Sequence, residues 1–267
     1  IWFDAPVQRA AAAGAQVLLN LNASPFHQGK AQEREQLVCD RAERFGVSVV
    51  YVNLVGGQDE LVFDGGSFVV DARGSICHRS PFFSEHEALI AFDHGVPHRA
   101  DVEDFPPMLG QVYAALVTGT RDYIRKNGFS SVILGLSGGI DSALTLAIAV
   151  DAIGAERIEA VSMPSRYTTS MSNDDARLQA EALGVEHQVI PIEPAFSAFL
   201  EMLSDTFAGT EPDATEENIQ ARCRGIVLMA ISNKRNRMLL TTGNKSEMSV
   251  GYATLYGDMA GGFAPLK

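Results

Sequence analysis

The chain has 267 residues, 33 of them acidic and 21 basic, for a formal net charge of −12. That length suits one large or two ordinary domains with a sizeable core, and so acidic a surface is a poor match for nucleic acid or an anionic membrane. No apolar run reaches the ~20 residues that span a bilayer, the six histidines lack zinc-site spacing, and Cys39, Cys77 and Cys223 are too scattered for a disulfide framework, which fits a reducing, cytoplasmic setting.

Residues 1–100 read as strands and turns with some helix. The β-rich apolar runs 17–21 and 47–52 flank a charged, periodic stretch, 31–45, which Gly46 is placed to end as a helix. Gly65-Gly66, then residues 67–71, then Gly74 read as a hairpin region. Cys77-His78 is the only Cys/His neighbour pair. Adjacent strand residues point to opposite faces, so the pair reads as structural rather than as a nucleophile and its base. The acidic, proline-bearing stretch 95–107 reads as an interdomain linker, at its narrowest residues 101–107.

From residue 108 the pattern alternates. Strands are expected at residues 131–134, 158–162, 187–190 and 238–241, with helices between them. Ser172-Asn173-Asp174-Asp175 opens one helix and Thr215-Glu216-Glu217 another. Alternation of this kind gives a parallel, doubly wound sheet, whose ligands bind beyond the carboxyl ends of the strands.

The segments that carry chemistry fall at those ends. Gly135, Leu136, Ser137, Gly138, Gly139, Ile140, Asp141 and Ser142 follow the first strand and lead into an apolar helix. Strand, glycine-rich turn, helix is an arrangement that holds phosphate: glycines let the backbone approach the anion, and the N–H groups of the first helical turn point at it. The two serines add hydroxyl donors. Asp141 would repel phosphate unless a divalent cation sits between them. The loop is not a Walker A motif, which needs a Lys before its last Ser/Thr. Met163-Pro164-Ser165-Arg166-Tyr167 follows the second strand and Thr242-Gly243-Asn244-Lys245-Ser246-Glu247 the fourth, so three segments converge on one crevice. On a helix, Asn218 and Arg222 share a face, able to recognise carboxylate, phosphate or ribose, or else forming a solvated polar face.

Residues 135–142 resemble the SGGxDS loop of the ATP pyrophosphatases. Together with Met163-Pro164, Tyr167, residues 217–222, residues 242–247 and residues 256–263, they resemble glutamine-dependent NAD synthetases. The resemblance implies an adenine nucleotide α-hydrolase-like domain over residues 108–267. Its implied activity is ATP-dependent amidation of deamido-NAD to NAD through an adenylate, releasing AMP and pyrophosphate. It implies that Gly135–Ser142 and Thr242 bind ATP, that Asp141 and Glu247 hold Mg2+, and that Asn218, Arg222, Glu247 and Asp258 contact deamido-NAD. Lys245 would either neutralise phosphate or be solvated. No protein nucleophile is expected in this domain.

Residues 20–30 (Asn-Leu-Asn-Ala-Ser-Pro-Phe-His-Gln-Gly-Lys) resemble a segment bordering the glutamine pocket of nitrilase-type amidases. This implies that residues 1–100 are the carboxyl-side part of an αββα glutaminase domain, with Ser24 and Lys30 as glutamine contacts. That family's Glu, Lys and Cys would lie upstream of residue 1, and the far end would also continue, so the sequence reads as truncated at both ends. A homo-oligomer with an internal ammonia route is expected. The alternatives are another ATP-pyrophosphatase amidotransferase, or a nucleotide-binding module without catalysis. The tRNA-modifying pyrophosphatases fit poorly, since the basic surface they would favour is missing.

Overall fold

The structure is a computed structural model that describes residues 3–257 and 259–266. The chain divides into two compact units between Gly119 and Thr120.

The first unit contains helices α1 (Asp4–Ala12) and α2 (Lys30–Phe45). Its strands are β1 (Val17–Asn22), β2 (Ser48–Asn53), β3 (Val55–Gln58), β4 (Leu61–Asp64), β5 (Phe68–Val70), β6 (Ile76–Arg79), β7 (Phe92–Asp93) and β8 (Val96–Pro97). Four of these form a mixed sheet in the order β1-β2-β5-β6, parallel only between β1 and β2. Val38 and Ala42 of α2 pack on Val49, Tyr51, Phe68 and Val70, which share one sheet face. The helix stops where expected: Gly46 sits at φ +64°, a conformation most side chains resist. The expected hairpin is β5–β6, and Asp71 Oδ1 accepts from the amides of Arg73 and Ser75, at 2.9 Å each, to shape its turn.

The stretch read as a linker is not a free tether. Ala100 N donates to Cys77 O (2.9 Å), Arg79 N to Asp101 O (3.1 Å) and Glu103 N to Arg79 O (3.1 Å), stitching it along β6. An edge strand leaves backbone groups unpaired, and this segment satisfies them.

Helix α3 (Met108–Lys126) leads into the second unit. There follow β9 (Val132–Gly135), α4 (Ile140–Ile153), β10 (Ile158–Ser162), α5 (Ser170–Leu183), β11 (Glu186–Val189), α6 (Glu193–Met202), α7 (Ala214–Arg235), β12 (Met238–Leu240) and α8 (Lys245–Val250). All four strands lie within one residue of expectation and form a wholly parallel sheet, β11-β10-β9-β12. Right-handed crossovers place α4 and α5 on one side and, after the order reverses at β9, α7 on the other. There Cys223 of α7 packs with Ile133, Val161 and Leu239, flanked by Ile219, Val227, Leu228 and Ile231. Two helix starts need correction. Thr169, not Ser172, caps α5, accepting from Ser172 N, and Asp213 caps α7 in a box with Glu216, so that helix begins before Thr215. Among the described residues no helix is long and apolar enough to cross a membrane.

Candidate active site

The reversal in strand order falls between β9 and β12, and the loop after β9 sits at that switch point. Leu136 N donates to Val161 O (2.9 Å), extending the sheet pairing past β9. Ser162 Oγ donates to Leu136 O (2.8 Å), so it must accept from His187 Nε2–H, also 2.8 Å away. Burial lowers the His187 pKa, Glu181 opposes this, and Arg177 adds to it.

Inside the loop the hydroxyls are committed. Ser142 Oγ donates to Gly139 O (2.9 Å), so the 3.0 Å contact between the two serines has Ser137 as donor. Ser137 Oγ accepts in turn from Gly139 N (3.2 Å). The serines thus shape the loop instead of offering free donors, a correction to their expected role, and Ser142 is buried. The anion-facing donors that remain are the amides at the start of α4, whose N-cap Gly139 has no side chain to satisfy them. Gly138, at φ +80°, presses on the start of α5: a Cβ there would lie 2.2 Å from Ser172 O.

A cleft of about 350 Å³ opens beside the loop, lined by Gly135, Leu136, Ser137 and Thr242 together with apolar Val161, Leu228 and Leu239. Three expected ATP contacts therefore share its wall with Thr242, while Gly138 to Ser142 lie outside the lining. Asn218, Arg222 and Glu247 also lie outside it. Asn218 Oδ1 accepts from Thr254 Oγ1 (2.9 Å). Arg222 is exposed and pairs with neither Asn218 nor an acid among the described residues. Glu247 closes a capping box on α8, its Oε2 accepting from Asn244 N (3.1 Å), which leaves Oε1 for another cation or donor. Lys245 is exposed. Asp258 lies outside the described residues. Among the described residues no group of three or more His, Cys, Asp or Glu could hold a metal by itself. Mg2+ asks for less: one or two carboxylates, completed by phosphates and water. Asp141, in the first turn of α4, and Glu247 fit that demand and would not make a free-standing metal centre.

In the first unit the Ser24 backbone is clamped. Its N–H donates to Asn53 Oδ1 (2.9 Å), and its carbonyl accepts from Asn53 Nδ2 (3.2 Å) and Arg34 (3.3 Å). Arg34 is held by both oxygens of Asp64, at 2.8 and 2.9 Å, and both side chains are buried. Lys30 opens α2 and pairs with Glu33 (3.1 Å). No cysteine is set up to attack: burial pushes all three thiols up, Cys39 to about 12.

Residues 112–267 match the family model for NAD synthase. The chain belongs to the NAD synthase family. Residues 1–93 match the model for carbon-nitrogen hydrolase. The glutamine-dependent NAD(+) synthetase of Xylella fastidiosa is 50% identical over the whole chain, and that of Thermotoga maritima 45% identical over 95% of it. The chain spans about half the length of these curated relatives, 50% in each case. It is also similar to a structure of the Acinetobacter baumannii glutamine-dependent NAD+ synthetase in complex with ADP. That match has a TM-score of 0.96 at 47% identity and covers all of this chain and 51% of that one. The NH3-dependent NAD synthetase of Campylobacter jejuni matches 59% of the chain and 66% of its own, at 29% identity and a TM-score of 0.54.

The NAD synthase unit holds residues that the sequence analysis passed over. Arg224 lines the cleft, its Nε donating to Met163 O (3.2 Å). It lies one helical turn from Leu228 and from buried Gln220, and a cation in phase with a buried stripe is a signal the sequence does carry. Ser162 and His187 left no such trace, because they meet only through the pairing of β10 with β11.

Proposed function

We propose that this chain carries the ATP-dependent amidation of deamido-NAD to NAD, with ammonia supplied from glutamine. The observation that supports it best is the convergence of the loop after β9 and Thr242 after β12 on one cleft at the switch point of a parallel sheet. The Acinetobacter baumannii relative with ADP supports an adenine nucleotide as occupant.

A carboxylate is a poor acyl donor until its oxygen becomes a good leaving group. In the first step a nicotinate carboxylate oxygen attacks the α-phosphorus of ATP, the bond to the bridging oxygen breaks, and pyrophosphate departs. Ammonia then attacks the carbonyl carbon, loses a proton, and the C–O bond to AMP breaks. Positioning and charge neutralisation carry both steps. Residues Gly135 to Ser142 and Thr242 hold ATP, with the α4 amides aimed at its phosphates. Asn218, Arg222, Glu247 and Asp258 hold deamido-NAD. Asp141 and Glu247 hold Mg2+, which neutralises phosphate charge when bound. Ser24 and Lys30 contact glutamine, and the Arg34–Asn53–Asp64 clamp fixes the Ser24 backbone. Homo-oligomeric assembly and a cytoplasmic setting belong to the same reading, the latter supported by three free thiols.

The test is to supply the intact protein with ATP, Mg2+, deamido-NAD and either ammonia or glutamine. NAD, AMP and pyrophosphate forming together with both nitrogen sources is the expected result. Activity with ammonia alone would remove the glutamine half of the proposal. No NAD from either source would overturn it. Asp141→Ala is expected to abolish magnesium-dependent ATP binding, and unchanged binding would sink the metal assignment.

A further inference from the structure

We propose that Arg224 binds a phosphate oxygen of the nucleotide in the cleft beside the β9–α4 loop. The inference rests on the nucleotide reading of that cleft and adds a ligand which the motif residues do not include. Arg224 shares the cleft wall with Ser137 of the loop. Its Nε–H is anchored on Met163 O (3.2 Å), which fixes the plane of the guanidinium. The four N–H bonds of its two terminal nitrogens have no protein partner among the described residues, and it forms no ion pair there.

That isolation is unusual in a chain carrying 33 acids. More exposed arginines of the same unit find them: Arg166 pairs with Glu193, and Arg177 with Glu181. Arg224 is removed from water enough that burial lowers its pKa. A desolvated cation without a counter-charge is costly, and a planar fork with free donors suits a phosphate. With no acid paired to it among the described residues, the anion proposed to compensate Arg224 is the ligand's.

Two phosphate sources meet this description, ATP and deamido-NAD, and the geometry favours ATP because the phosphate loop lines the same cleft. The experiment is calorimetric titration of the intact protein with ADP, adenosine and deamido-NAD, for the unaltered chain and for Arg224→Gln and Arg224→Lys. Arg224→Gln is expected to weaken ADP by about ten- to a hundredfold, the scale of a charge-assisted pair, and to leave adenosine unchanged. Arg224→Lys, which keeps the charge without the fork, is expected to lie between. An equal loss for ADP and adenosine would mean that Arg224 acts only by holding Met163, and overturns the proposal. A loss confined to deamido-NAD overturns the assignment to ATP. Undiminished ADP binding in Arg224→Gln sinks the Arg224 ligand alone, whereas no ADP binding by the unaltered protein sinks the nucleotide reading and this inference with it.

Discussion

The two units fix their loops by opposite means. In the first, a buried ion pair does it: Arg34 and Asp64, with Asn53, lock the Ser24 backbone that follows β1. In the second, the loop after β9 is fixed by its own serines, by Ser162 and by the close approach of Gly138 to α5, with no buried charge in the loop itself. The one fully buried acid of that unit among the described residues, Glu159, lies near the start of β10, away from the ligand end of the sheet, where Arg235 and Arg237 pair with it at 2.8 Å. The contrast follows from what each loop is proposed to hold. A site for a highly charged phosphate chain gains from backbone amides that present dipoles, and the one carboxylate of the loop, Asp141, would meet such a ligand through a cation. A loop that borders a neutral or zwitterionic ligand tolerates a paired charge beneath it.

Breaking the buried pair tests the first half of that contrast and carries the largest expected effect. Asp64→Ala strands the Arg34 guanidinium, and a loss of about 3–5 kcal/mol in urea unfolding is expected. Replacing both residues with apolar ones, Arg34→Met with Asp64→Leu, is expected to cost much less, because no lone charge is left. If Asp64→Ala unfolds at the same urea concentration as the parent, the pair does not hold the loop.

Gly138→Ala tests the second half. A left-handed φ of +80° and a Cβ 2.2 Å from Ser172 O together imply a loss of about 3 kcal/mol and a displaced loop. Nucleotide affinity is expected to fall with stability here, whereas Asp64→Ala destabilises the first unit and is expected to leave ADP affinity near that of the parent. Retained ADP affinity in Gly138→Ala would show that the close approach does not shape the site.

The sequence carried the second unit better than the first. Local signals did the work there: three buried apolar runs, a glycine-rich turn after the first, and helix-forming stretches between them, while the edge strand β11 is polar and only partly buried. Parallel strands buried on both faces read as continuous apolar runs, which survive inspection without tertiary information. The helix starts were read one to three residues late because Thr169 and Asp213 are the caps, while the acids behind them dominated the reading. In the first unit the deciding contacts are distant in sequence. Arg34 and Asp64 are 30 residues apart, and residues 100–103 run along β6, so a stretch with linker composition is tied into a sheet edge. The same limit hid Ser162 and His187. It also hid Arg224: Asn218 and Arg222 share a polar face that sequence spacing shows, whereas Arg224 lines the cleft through the packing of its helix on the sheet.

The smallest effect concerns Ser162 and its histidine. Ser162→Ala removes the donor to Leu136 O and leaves His187 Nε2 without its partner, so about 1 kcal/mol should be lost. His187 adds a pH dependence. Its Nε2–H donates to Ser162 whether or not the ring is charged, so that bond does not set its protonation, and burial, which disfavours the cation, holds the folded-state pKa below the ordinary histidine value of about 6.5. Above that value both folded and unfolded chains carry a neutral ring and the group contributes nothing to the pH slope. As pH falls through it, the unfolded chain takes up the proton first and stability drops, by at most one proton's worth of slope. His187→Gln keeps an N–H able to reach Ser162 and removes the titration. Urea midpoints compared between about pH 7.5 and about pH 5.5 are therefore expected to converge, the parent losing more than the variant over that range. An equal loss in both would show that His187 is as well solvated folded as unfolded.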